Sequence, residues 1–169
     1  SLVILTNDEM AEARALINSV AGSRRALCHA VFTPGKPGWM DEVDRAIASC
    51  QRALAVATTL GHVGLQARAH HILGMAYYDA GDYARAIASL GQNVALLQGA
   101  LLAERLGAGG NIAVSSRAWM SYCHAERGAF TEGLALAEEG VRIAETVQNP
   151  FSLVEVCFGV GKVYLRQGE

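Results

Sequence analysis

An all-α solenoid of stacked helical hairpins is the fold this sequence predicts, on three observations. Its 169 residues hold 29 Ala and 18 Gly but only 3 Pro, with aromatics at 7%, the composition of short helices packed closely together. The segment Arg45-Ala46-Ile47-Ala48-Ser49 returns forty residues later, letter for letter, as Arg85-Ala86-Ile87-Ala88-Ser89. Gly-Asp and Gly-Ala corners recur between apolar stretches of helical period, as in Gly81-Asp82 and Gly128-Ala129.

The clearest hairpin runs from Leu73 to Ala86. Small residues at Gly74 and Ala86 let two helices approach, Tyr77 and Tyr83 fill the wedge between them, and Gly81-Asp82 makes the turn and caps the second helix. A further copy follows at Arg127 to Gly133, where Phe130 replaces Tyr83 and Gly133 replaces Ala86. Another starts at Gly161, with Tyr164 in the place of Tyr77. The step from one hairpin's second helix to the next hairpin's first is 28 residues from Ala46 to Gly74, 35 from Ala86 to Ser121 and 28 from Gly133 to Gly161. Seven extra residues therefore fall around Gly99 to Gly110, read as a lengthened helix followed by a flexible loop at Gly107-Ala108-Gly109-Gly110.

Residues 1–38 depart from the pattern and are expected to form an irregular first hairpin, with the repeats proper over 39–169 as a single solenoid domain. Thr6 and Glu9 have capping-box spacing, Gly22 breaks the first run, and Thr33 to Gly38 replaces the short corner. Because each repeat covers its neighbour, a chain ending after the first helix of a hairpin leaves an apolar face, so the segment is read either as part of a longer array or as pairing with another copy.

Charge excludes some partners. With 14 basic and 16 acidic residues the net charge is −2, which offers no global excess for phosphates and disfavours nucleic acid. Leu2 to Leu5 is too short for a secretory leader. The uncharged run Ala86 to Ala103 is broken by Ser89, Gln92, Asn93 and Gln98 and reads as a soluble amphipathic helix, so no membrane partner is expected. Cys28, Cys50, Cys123 and Cys157 form no close pair and read as buried thiols in a reducing compartment.

Chemical motifs are weak. Gly159-Val160-Gly161-Lys162-Val163 lacks the spacing and the hydroxyl of a phosphate loop and sits mid-helix, where a small packing residue and a solvated lysine are the expectation. Gly107 to Gly110 follows a helix, which argues against a dinucleotide site. Neighbouring helical residues point about 100° apart, so Cys28-His29, His70-His71 and Cys123-His124 cannot readily chelate one ion. His70 and His124 are expected near packing positions with a hydrogen-bond partner, and His71 on the groove side. Ser115, Ser116, His124 and nearby acids show no nucleophile elbow. No catalysis, cofactor or metal is expected.

The stretch Leu73 to Ala86 resembles the tetratricopeptide repeat, through its small residue at Gly74, Tyr77, Gly81-Asp82, Tyr83 and Ala86. The resemblance implies a right-handed α-solenoid whose first helices line a concave groove for a protein or peptide. Counted along that repeat, groove positions fall on Arg68, His71, Met75, Tyr78 and Asp79, then on Tyr122 and Glu126, then on Glu155, Phe158, Lys162 and Arg166. His71 and Met75 stand where carboxylate-clamping members carry Lys and Asn, so that ligand is not implied. Trp119 is expected to pack between the two helices of its own repeat rather than to anchor the groove.

More narrowly, Asn93 to Leu97, Ser116 to Trp119, Gly140 to Glu145 and Tyr164 to Gly168 resemble the C-terminal repeat region of large bacterial signalling proteins that carry a nucleotide cyclase or a signal-transduction ATPase. This implies a cytoplasmic, non-catalytic interaction or sensor scaffold. The alternative is a homo-oligomerisation element, giving a homodimer through the open terminal face.

Overall fold

In the computed structural model, residues 39–104, 106 and 110–168 are described, together with Ala11 and Ala15. The irregular hairpin expected over 1–38, Cys28-His29 and the glycine loop at 107–109 lie outside these residues. The described chain forms α1 (Trp39–Thr59), α2 (Val63–Asp79), α3 (Tyr83–Leu96), a 3-10 turn (Gly99–Ala103), α4 (Ile112–Glu126), α5 (Phe130–Thr146) and α6 (Pro150–Gln167). No strand occurs among the described residues. The antiparallel hairpins α2/α3 and α4/α5 stack on one another, with α1 against α2 and α6 in the cleft of α4 and α5.

Local chemistry sets the helix ends. The Asp82 carboxylate accepts from Arg85 N at 2.9 Å, the Asn111 side chain from Val114 N at 3.1 Å and the Asn149 side chain from Ser152 N at 3.1 Å. Pro150 follows Asn149 at the first turn of α6, where its missing N–H costs nothing. Gly81 and Gly128 close the two hairpins at φ of +76° and +74°, a backbone region other residues enter only at a cost.

The hairpin interior follows the expected small-and-large scheme. Gly74 and Ala86 are buried, and Leu90 fills the space that Gly74 leaves. Tyr77 is buried in the same core, accepts a hydrogen bond from Gln51 at 3.1 Å and lies under the Arg85 guanidinium.

Helices α2, α3 and α4 are also tied by a polar group. Asn93 is fully buried on α3, and its amide donates to the Ala67 carbonyl at 2.9 Å and to Ser116 Oγ at 3.0 Å. Asn93→Ala is expected to cost about 2 kcal/mol, because it opens a void and strips a buried hydroxyl of its donor. The check is a lower urea midpoint with an unchanged slope.

Two expectations are corrected here. The helix expected to run on through Ala103 ends at Leu96. Leu97 turns inward, joining Ile112 and Ala113 in a small core, Gly99 takes φ +57°, and the 3-10 turn is held by Asn111 donating to the Leu102 carbonyl at 2.6 Å. Cys50 and Cys123 are buried as expected, but Cys157 is exposed, since its side of α6 meets no neighbouring helix. No described helix is long and apolar enough to cross a membrane.

Candidate functional site, an aromatic and ionic groove

Helices α2, α4 and α6 lie side by side, and a cavity of about 1080 Å³ opens along them. Its inner wall is aromatic. Tyr78 meets Trp119 edge-on at 5.2 Å between ring centroids, Trp119 meets Tyr122 at 5.1 Å, and Tyr83 closes on Tyr78 at 5.5 Å. Such a cluster forms because Trp119 and Tyr122 stand one helical turn apart on α4, facing the last turn of α2.

An ionic network crosses the same wall. Glu126, with only 13% of its side chain exposed, accepts Lys162 at 2.9 Å on one oxygen and Arg166 at 2.8 Å on the other. Tyr78 Oη donates to the same carboxylate at 3.2 Å, and Lys162 also donates to Tyr78 Oη. The Lys162 ammonium lies 4.8 Å from the Tyr78 ring centre and 5.3 Å from that of Tyr122. Further along α6, Glu155 accepts from Ser115 Oγ at 2.7 Å and from Trp119 Nε1 at 3.3 Å, while Tyr122 Oη donates to the Glu155 backbone carbonyl at 3.0 Å. Three helices distant in sequence are thus joined through polar groups as well as rings.

The environment sets the protonation states. Burial alone would raise the Glu126 carboxyl, but the hydrogen bonds and charges of Lys162 and Arg166 outweigh it and hold the group below its usual value. Tyr78 and Tyr122 are pushed well above the ordinary phenol range, first by burial and then by Glu126 and Glu155 respectively. Burial pushes the Cys123 thiol up to about 12. Burial lowers His70 and His124 below the usual 6.5.

The shifts of His70, His124 and Glu126 share one sign. A histidine or carboxyl whose folded value is depressed contributes stability that is complete above its unfolded value and is lost as pH falls through the folded one. Stability is therefore expected to be level near pH 7, to fall below about 6.5 with the histidines and to fall again below about 4.5 with Glu126. Urea midpoints from pH 7 to pH 3 check this, and Glu126→Gln should flatten the lower step while leaving the upper one.

Of the positions counted from the repeat pattern, Tyr78, Tyr122, Phe158, Lys162 and Arg166 line the cavity, with Glu126 and Glu155 bonded to lining residues. Arg68, His71, Met75 and Asp79 are half-buried along α2 outside that lining. Trp119, expected to pack between helices, is instead part of the aromatic wall. Its spacing of three from Tyr122 and seven from Glu126 puts it on their face of α4, a signal available in the sequence. Lys162, expected to be solvated, is ion-paired and covers two rings. A Cβ at Gly161 would meet nothing within 4 Å; Gly159 takes the packing role, since a Cβ there would stand 3.4 Å from the Tyr122 ring.

Among the described residues no group of three or more His, Cys, Asp or Glu could hold a metal ion. His70 faces Ser89 Oγ at 3.4 Å, as expected. His124 Nδ1 is buried with no hydrogen-bond partner among the described residues.

No family model matches the chain, and neither does any curated protein. Solved structures do match. A Podosopora anserina protein assigned as a kinesin light chain with nearly identical TPR-like repeats aligns at a TM-score of 0.55 and 16% identity, covering 95% of this chain and 86% of that one. A single-residue variant of it aligns at 0.57 and 16%, covering 95% and 85%. The fold is therefore an α-solenoid of tetratricopeptide-like hairpins. At this identity the likeness concerns architecture alone.

Proposed function

We propose that this chain is a non-catalytic interaction module that holds a peptide or protein segment in the groove along α2, α4 and α6. The observation that carries the reading is the aromatic wall of Tyr78, Trp119 and Tyr122 beside a large open cavity. Rigid aromatic area supplies contact energy at low entropic cost, and the flanking charges orient a ligand. Catalysis is disfavoured by the same chemistry. Glu126 is held ionised by two cations, both tyrosines stay protonated near neutrality, and Cys123 is a buried neutral thiol, so none of them is poised as a base or nucleophile.

The groove assignment extends to Arg68, His71, Met75 and Asp79, which would contact a ligand running on past the cavity along α2. Residues 1–38 are proposed as an irregular entry hairpin and 39–169 as one repeat domain. Its resemblance to the repeat regions of bacterial cyclases and signalling ATPases supports a cytoplasmic scaffold that passes partner binding to an output domain.

Selection from a random peptide library tests the reading. Enriched peptides should bind the parent chain and lose about tenfold in affinity to Tyr78→Ala combined with Lys162→Ala, with helicity preserved by circular dichroism. Unchanged affinity in that double variant would sink the groove assignment.

A second reading, homo-oligomerisation, is favoured by the exposed apolar side chains of α6. Light-scattering mass over a hundredfold concentration range decides it, since a pure partner-binding module stays monomeric.

A further inference from the structure

We propose that Glu155 and the ring of Trp119 form a subsite of the groove for a basic side chain, lysine or arginine, of the bound segment. This rests on the groove reading and names the chemistry that its ligand carries.

The groove wall already holds a cation of its own. The Lys162 ammonium lies 4.8 Å from the Tyr78 ring centre and 5.3 Å from that of Tyr122, with the Glu126 carboxylate at 2.9 Å. Ring faces attract the positive charge and the carboxylate supplies the counter-charge. The same pairing recurs nearer the start of α6, where the Glu155 carboxylate accepts from Trp119 Nε1 at 3.3 Å and so stands at the edge of the indole. Trp119 lines the cavity, and an indole is the best of the aromatic rings for a cation. Ser115 and Trp119 both belong to α4, so the subsite faces that helix and draws nothing from the outer side of α6.

At this second pairing the chain supplies no counter-ion. Among the described residues, ion pairs join Arg85 to Asp82, Arg117 to Glu139, and Lys162 and Arg166 to Glu126, and none reaches Glu155. Its donors are neutral: the Ser115 hydroxyl at 2.7 Å and the Trp119 indole. Each gives one proton, whereas a carboxylate offers about four lone-pair sites, so about two remain for a ligand. Glu155 is half-buried, which thins the water around a charge that neutral donors do not cancel.

Glu126, Glu155, Lys162 and Arg166 together sum to zero, but their placement keeps them apart. Lys162 and Arg166 are both bound to Glu126. They follow Glu155 by seven and eleven residues, about 10 Å and about 16 Å along a helix. At physiological salt, exposed charges are screened beyond about 8 Å. A negative spot therefore persists beside the Trp119 ring, and a guanidinium or ammonium group on the ligand completes it as Lys162 completes the first.

The test titrates the 15N-labelled full chain with n-butylguanidinium, the head group of arginine on a short alkyl chain. The indole N–H signal of Trp119, assigned with Trp119→Phe, should shift and saturate. n-Butylurea, of the same shape without the charge, should bind at least about tenfold more weakly. Glu155→Gln keeps the length and an acceptor for both donors, so the fold should survive by circular dichroism while affinity for n-butylguanidinium falls about tenfold. Peptides selected from a random library on the parent chain should carry Arg or Lys at one fixed position. Citrulline or norleucine there should cost about tenfold on the parent chain and little on Glu155→Gln.

No shift of the Trp119 signal, or an equal response to n-butylurea, overturns the proposal on the parent chain alone. Unchanged affinity in Glu155→Gln overturns it as well. Library ligands lost in the Tyr78 and Lys162 double variant but indifferent to Glu155→Gln would refute the subsite and leave the groove standing. Indifference to both sets of changes refutes both.

Discussion

Gly74→Val is expected to cost about 3 kcal/mol and to lower the melting temperature by about 9 °C, because it drives a side chain into a close crossing of α2 and α3. A Cβ at Gly74 would stand 2.4 Å from Leu90 Cγ and 2.7 Å from its Cδ2. Leu90 is fully buried and cannot swing into solvent to make room. Helix propensity favours alanine over glycine by about 1 kcal/mol, so Gly74→Ala should cost less than the contact alone implies. A double-mutant cycle isolates the contact. Leu90→Ala alone should lose about 3 kcal/mol through its cavity, and Gly74→Ala combined with Leu90→Ala should lose at least about 1 kcal/mol less than the two changes summed. Strict additivity in urea unfolding would mean that this contact does not set the distance between α2 and α3.

That crossing was legible in the sequence because hairpin closure is local. Gly74, Tyr77, Gly81-Asp82, Tyr83 and Ala86 lie within fourteen residues, and each has a backbone or packing reason to be there. The seven-residue excess before α4 was equally readable as a length. Its shape was not, since only the fold shows that Leu97 turns into a pocket made by Ala67, Ile112 and Ala113. Cys157 misled for a related reason. Helix α6 is apolar almost all round, so periodicity alone does not say which side meets α4 and α5 and which stays open. In the groove, a positional count picks out Tyr78, Glu126, Lys162 and Arg166 one by one. Their convergence joins residues up to 88 positions apart, from Tyr78 to Arg166, and that is a property of how the hairpins stack. Trp119 reads as a packing residue because large aromatics bury well, whereas its contacts with the Tyr78 and Tyr122 rings in the cavity wall depend on how α2 meets α4.

Reversing the charge at the centre of that convergence should loosen α6 more than any other element. In Glu126→Lys three cations would crowd around Tyr78, where one carboxylate now holds Lys162 and Arg166. An exposed ion pair contributes about 0 to 1 kcal/mol, and breaking a fully buried one costs about 3 to 5. With Glu126 13% exposed, Lys162 27% and Arg166 52%, the expected loss lies between these limits, at about 2 kcal/mol. The location of the damage is the sharper prediction. Helix α6 packs chiefly on α4 and α5 and reaches α2 through Lys162 and Tyr78, so its amides should exchange faster while those of α3 keep their protection. Salt at about 1 M, where the screening length is about 3 Å, should recover part of the loss, because the new repulsion reaches solvent at Arg166. Combining Glu126→Lys with Lys162→Glu puts a carboxylate back among the cations and should restore at least about half of the stability, as charge pairing requires and loss of packing would not. Faster exchange spread evenly over all helices, or no rescue by the swap, would show that α6 is held by Val156 and Val163 in the core and that the ionic network only decorates the groove.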